Sequence, residues 1–182
     1  MIIEETSIKD LVIINPTVFT DQRGYFFEAY NEAKFQEHGI IYKFIQDNQS
    51  FSKKGVIRGL HLQINDFAQA KLVRVLQGEI LDVAIDLRKK SKTYGQHFSV
   101  ILSGENKKQL MVPHGFAHGF SVLSETASVM YKVDQVYHKE SERGIRYDDP
   151  ILSIDWQISP NEVTISDKDL ILPSFESIDW EF

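Results

Sequence analysis

The chain has 182 residues, with 20 lysines and arginines against 26 aspartates and glutamates, for a formal net charge of -6. A length of this order makes one domain that buries roughly 70% of its unfolded surface, and the acidic balance argues against a nucleic-acid partner, which attracts the opposite sign. There is no cysteine, which excludes disulfides, thiol nucleophiles and thiolate-bound metals.

The start, Met1-Ile-Ile-Glu-Glu, lacks the basic segment of a secretory signal. No apolar run approaches the ~20 residues of a membrane helix. A single cytoplasmic domain over residues 1–182, with no membrane partner, is the expectation.

Helical signals are few. Asn31 is placed to cap a short helix that runs through Gln36 and ends at Gly39. The next segment, Gly55-Val-Ile-Arg-Gly-Leu-His61-Leu-Gln63 with Lys71 downstream, gathers an imidazole, two cations and a carboxamide on otherwise apolar strands. Alternation then dominates. Leu81, Val83, Ile85 and Leu87 alternate with Asp82, Asp86 and Arg88; Phe98, Val100 and Leu102 alternate with Ser99 and Ser103. Val129, Tyr131 and Val133 do the same against Ser128, Lys132 and Asp134. Turn signals at Gly78-Glu79, Ser103-Gly104-Glu-Asn106, Pro113-His-Gly115 and Asp149-Pro150 separate these runs.

Many short strands at this spacing imply a mainly β fold, an antiparallel sandwich or barrel of jelly-roll type, with a few short helices. The tail from Ser159 reads as turns and short helices, and Ser166-Asp-Lys-Asp169 has the spacing of a capping box. The basic run Arg88, Lys89, Lys90 and Lys92 reads as a solvated turn, and Trp156 and Trp180 as packing. His38, His97 and His138 receive no functional reading. Tyr131 and Tyr137 share strand parity, so an unbroken strand would turn both to one side.

Two segments, Gly55 to His61 and Pro113-x-Gly115-x-x-His118, resemble the two motifs of the cupin superfamily. Metal-binding cupins carry a second histidine where this chain has Gln63, and a glutamate where it has Phe67 and Ala68. Only His61 and His118 remain as ligands, too few for a protein-held zinc or iron ion, so neither a metal nor a cofactor is expected.

Over nearly its whole length the chain more closely resembles the dTDP-4-dehydrorhamnose 3,5-epimerases. The resemblance rests on Asp21-Gln-Arg-Gly-Tyr-Phe-Phe-Glu28, Gln46-Asp-Asn48, Arg58-Gly-Leu-His61, Gln69-Ala-Lys71-Leu-Val, Asp82-Val-Ala-Ile-Asp-Leu-Arg88, Gly115-Phe-Ala-His118-Gly-Phe and Ser166-Asp-Lys-Asp169. It departs at Leu62, where the family often has an aromatic residue, and at Asn65-Asp-Phe-Ala68, where a proline is common; both could alter the fit of the pocket.

The resemblance implies His61 as base, Asp169 as its partner, Lys71 as stabiliser of an enolate and Tyr131 as the acid on the opposite face. It implies ligand contacts from Arg23, Glu28, Gln46, Asn48, Arg58, His118, Tyr137, Glu142 and Lys168, with Phe26 stacking on the base. The substrate would be a dTDP-linked 4-keto-6-deoxyhexose, epimerised at C3 and C5 in dTDP-L-rhamnose synthesis. The protein would be a homodimer in which Arg23 and Glu28 complete the neighbour's site.

The chemistry suits these residue types. Histidine titrates near neutrality, and a carboxylate behind it fixes its tautomer. The rival readings are a C3- or C5-only epimerase of another deoxysugar pathway, a 3,4-ketoisomerase, a metal-dependent cupin oxygenase and a non-catalytic sugar-binding jelly roll.

Overall fold

The computed structural model describes residues 1–180 and 182. In chain order the strands are β1 (Ile2–Glu5), β2 (Val12–Asn15), β3 (Phe19–Asp21), β4 (Gly24–Phe26), β5 (Gln46–Lys53), β6 (Ile57–Gln63) and β7 (Lys71–Gln77). They continue as β8 (Glu79–Asp86), β9 (His97–Ser103), β10 (Gln109–Val112), β11 (Phe116–Val122), β12 (Thr126–Val133) and β13 (Glu142–Gly144). The α-helices are α1 (Glu32–Glu37) and α2 (Asp167–Leu170).

One sheet has the order β1-β2-β10-β7-β12-β5 and faces a second of order β13-β6-β11-β8-β9. The named strands pair antiparallel, as in β11 on β8 and β12 on β5. The jelly-roll expectation is met.

Three apolar clusters follow from the pleat. Inward residues of both sheets, among them Val73, Val75, Leu110 and Val129 against Ile80, Ala84, Leu102 and Phe120, form the core between them. The outer face of the smaller sheet, with Ile57, Leu62, Leu81, Val83 and Ile85, is covered by the C-terminal segment through Ile145, Leu152 and Trp156. The outer face of the larger sheet packs Ile14, Leu72 and Met111 on Phe35 of α1.

This double cover leaves β8 without the solvated face that alternation by itself suggests. Both of its parities are buried, and Asp82 and Asp86 have no exposed surface. Arg88 is likewise no free turn charge. It bonds Asp86 and Asp10 and lies over the Phe116 ring at 4.6 Å. Asp86 also accepts from Ser91 and Thr93. Burial pushes the Asp86 carboxyl up, but the bonds from Arg88, Ser91 and Thr93 outweigh it and bring the pKa to about 2.

The caps form as expected. Asn31 accepts from the Lys34 N–H at the start of α1, and Gly39 follows its end in the left-handed region at φ +79°. Ser166 accepts from the Asp169 N–H at 3.2 Å to start α2. The second half of the capping box is missing, because the Asp169 carboxylate is engaged elsewhere.

Candidate active site

β6 carries an irregularity that determines which side chains face the space between the sheets. Opposite β11, His61 pairs with His118, yet Arg58 pairs with Phe120, so β6 holds one residue more than its partner. In a regular strand Arg58 and His61 would point to opposite faces; a bulge between them restores a common side. Gly59 sits at this point with φ +124°, and a Cβ there would lie 2.6 Å from the Gly119 Cα. Only glycine meets both conditions.

The result is a cavity of about 280 Å³ at one end of the intersheet space. The smaller sheet contributes Arg58, His61, His118 and Phe120; the larger contributes Ser50, Lys71 and Tyr131; α2 and its cap add Ser166, Lys168 and Asp169. His61 and Lys71 therefore share one compartment, although they come from different sheets.

Asp169 stands behind His61. Its Oδ1 lies 2.7 Å from His61 Nε2, and the Gly59 N–H approaches its Oδ2 at 3.5 Å. Burial pushes the Asp169 carboxyl up, but the bonds from His61, Gly59 and Ser166 outweigh it and hold it below the ordinary aspartate value. The carboxylate is thus an anion at neutral pH, and with Nε2 engaged the nitrogen available for proton transfer is Nδ1.

A second imidazole–carboxylate pair lies alongside. His118 Nε2 bonds Asp82 Oδ1, a partner set by β8 packing next to β11. Asp82 Oδ2 is buried without a hydrogen-bond partner. The sequence reading found His118 but missed Asp82, which lay hidden in an alternating strand.

Lys71 Nζ donates to the His61 carbonyl at 3.4 Å. Burial depresses its pKa to about 8, with Asp82 and Glu142 opposing the fall. At pH 7 it remains largely protonated, a partly buried cation on the cavity wall. Burial raises the Tyr131 hydroxyl above the ordinary phenol value, with Arg58 opposing, so it keeps its proton at neutral pH. Arg58 is held by its Nε–H to Ser52 Oγ at 2.9 Å.

The remaining expected ligand contacts fall into three groups. Gln46 and Asn48 are joined by a 2.8 Å bond and share the face of β5 with Ser50. Ser50 was missed by the sequence reading, though its Oγ is buried, unpartnered and on the cavity wall. Its shared strand parity with Gln46 and Asn48 was the available signal.

At the cavity's edge Glu142 Oε2 accepts from Lys168 Nζ at 2.6 Å and from the Tyr137 hydroxyl at 2.8 Å. Burial raises the Glu142 carboxyl, but the Lys168 and Tyr137 bonds more than offset it and leave it lowered. Tyr137 reaches this place from a loop. β12 ends at Val133, so the shared strand parity with Tyr131 does not apply.

Arg23, Phe26 and Glu28 belong to neither group. Arg23 and Phe26 lie on or beside the exposed β3–β4 hairpin, and Glu28 follows it, paired with Lys34. None of the three lines the cavity of its own chain.

Leu62 packs in the outer core of the smaller sheet, so the departure at that position does not touch the pocket wall. The other departure forms a single 3-10 turn, Asn65–Phe67. Among the described residues, no three histidine, aspartate or glutamate side chains are grouped as metal ligands.

A jelly roll whose intersheet cavity joins a carboxylate-backed imidazole, a depressed lysine and a protonated tyrosine is an acid–base protein of the cupin-like epimerase class. The family profile of dTDP-4-dehydrorhamnose 3,5-epimerase matches residues 5–177. The dTDP-4-dehydrorhamnose 3,5-epimerase of Methanothermobacter thermautotrophicus is 51% identical over 166 residues, covering 91% of this chain and 89% of that one. The crystal structure of the enzyme of that name from Elizabethkingia anophelis superposes with a TM-score of 0.95 at 52% identity, over 99% of both chains. A dTDP-6-deoxy-D-glucose-3,5-epimerase from Legionella pneumophila, solved in complex with dTDP-4-keto-L-rhamnose, has a TM-score of 0.93 at 49% identity, over 97% of this chain and 94% of that one. The chain belongs to the dTDP-4-dehydrorhamnose 3,5-epimerase family.

Proposed function

We propose that this protein epimerises C3 and C5 of dTDP-4-dehydro-6-deoxy-D-glucose to give dTDP-4-dehydro-L-rhamnose, in dTDP-L-rhamnose biosynthesis. The observation that carries this reading is the meeting of His61, backed by Asp169, with Lys71 in one cavity. C3 and C5 both flank the C4 ketone, so one constellation serves both centres.

His61 removes the α-proton, and the electron pair of the C–H bond moves onto the C4 oxygen as an enolate. Asp169 stabilises the imidazolium that results. Lys71 stabilises the enolate oxygen from a partly buried position, where a charge is worth more than in bulk solvent. Tyr131 then gives a proton to the opposite face of the carbon. His61 returns its proton to solvent and Tyr131 takes one back, so the cycle is redox-neutral and consumes nothing.

Arg58, His118, Gln46, Asn48, Tyr137, Glu142 and Lys168 serve as substrate contacts in this reading. The guanidinium of Arg58 and the ammonium of Lys168 suit the diphosphate. The protein acts as a homodimer, with Arg23, Phe26 and Glu28 delivered to the neighbouring site. This is supported by the placement of Phe26, 70% exposed, away from its own cavity.

The test is incubation with dTDP-4-keto-6-deoxyglucose in deuterated water, following C3 and C5 by NMR. The wild type is expected to exchange both hydrogens, and His61→Ala neither. Normal exchange in His61→Ala would remove His61 as the base.

A further inference from the structure

Gln63 stands where metal-binding cupins place a ligand, two residues beyond His61 on the same face of β6. Only 4% of it is exposed, and its carboxamide is fully occupied. Nε2 donates to the Phe67 carbonyl at 2.7 Å and to the Val136 carbonyl at 3.0 Å. Oε1 accepts from the His138 N–H at 2.7 Å. The side chain therefore grips the residues on either side of Tyr137, much as a neighbouring strand would pair with their backbone. The third bond ties this grip to the turn Asn65–Phe67, where Phe67 stacks on His138 with ring centroids 3.7 Å apart.

The loop so held has one outward side chain directed at the site. Tyr137 is 57% exposed, bonds Glu142, and is absent from the wall of the cavity that holds His61. It stands outside the reaction chamber, where the part of the substrate that does not react must lie. A buried amide with every donor and acceptor used is a rigid device. Holding a binding loop in its bound shape raises affinity by cutting the ordering cost.

We infer that Gln63 is a positioning residue that acts through Tyr137: it sets affinity for the nucleotide portion of the substrate and leaves the proton-transfer step alone. This rests on the reading of Tyr137 as a ligand contact. Gln63→Glu keeps the shape and the acceptor but puts a carboxylate against two carbonyl oxygens. Gln63→Met keeps the length and removes all three bonds.

The experiment measures dTDP binding by calorimetry and steady-state epimerisation for the wild type, Gln63→Glu, Gln63→Met, Tyr137→Ala and Gln63→Glu/Tyr137→Ala. Each Gln63 variant is expected to bind dTDP about tenfold more weakly and to show a matching rise in KM, with kcat within about twofold of wild type. The double variant is expected to bind no more weakly than Tyr137→Ala alone. Wild-type affinity in the Gln63 variants, losses that add to that of Tyr137→Ala, or a loss confined to kcat would each overturn the inference. A merely structural role gives the last of these, because it lowers the folded fraction without changing KM. Tyr137→Ala binding dTDP as tightly as wild type would instead overturn the ligand reading of Tyr137, and the inference with it.

Discussion

The depressed lysine makes the sharpest demand on experiment. Burial brings Lys71 from the ordinary 10.5 to about 8, so its charge disappears within a range where the protein can be assayed. If the ammonium is what stabilises the enolate, kcat/KM must follow the protonated fraction of the free enzyme. That fraction falls about tenfold between pH 7 and 9 and about a hundredfold by pH 10; an unperturbed lysine would lose only a few per cent by pH 9. The assay is initial-rate epimerisation across pH 6.5–10, and Lys71→Arg is the control. Arginine keeps its charge throughout this range, so its residual activity should lose the alkaline limb. A wild-type profile flat to pH 9.5, or the same limb in Lys71→Arg, would refute the argument.

The same shift has a consequence for stability. Between the folded value near 8 and the unfolded 10.5, the unfolded chain binds more protons, so this group's contribution improves as pH rises through that window. It costs about 3 kcal/mol at pH 7 and about 1 kcal/mol at pH 10. Lys71→Met, compared with wild type by urea unfolding, should therefore gain relative stability at pH 7 and lose most of that gain at pH 10.

Three further outcomes follow from the geometry. Tyr131→Phe should keep exchanging substrate hydrogens with deuterium while inverted product forms about a hundredfold more slowly, as read by NMR; unchanged product formation would remove Tyr131 as the acid. Gly59→Ala drives a Cβ to 2.6 Å from the Gly119 backbone at φ +124°, and should cost about 4 kcal/mol, roughly a 10 °C loss in Tm by calorimetry. Mixing inactive His61→Ala with impaired Arg23→Ala should restore activity by making dimers with one intact site, whereas no recovery after subunit exchange would place Arg23 in its own chain's site.

Much of this architecture was legible because strands and caps are local. Period-2 alternation located β8, β9 and β12, and Asn31 and Ser166 located the starts of both α-helices. What failed was non-local. Alternation in β8 says which residues share a face, but nothing about what covers that face, and only the larger sheet packed across from it explains why Asp82 is buried beside His118. Parity carried Tyr137 onto a strand that stops at Val133. The Ser166–Asp169 spacing is that of a capping box, yet a distant imidazole outbids the cap for the carboxylate. Gly59 was visible as a glycine inside a strand, a recognised sign of a bulge, but its effect on Arg58 and His61 needs the register against β11.

The two imidazole–carboxylate pairs are built from similar parts but stand in different surroundings. His61 and His118 face each other across β6 and β11, but the His61 side chain is 27% exposed and that of His118 is 8%. A base that works in cycles must reach substrate and return its proton to water, which favours the more open ring. Its carboxylate also comes from outside the sheets: Asp169 sits on α2 beside Lys168, whose ammonium reaches Glu142 and through it Tyr137. Asp82 instead sits in an interior strand of the smaller sheet with one oxygen unpartnered, so His118 is held from within the sheet. In the proposed reaction this arrangement divides the labour, His118 orienting the sugar and the more open His61 moving its protons.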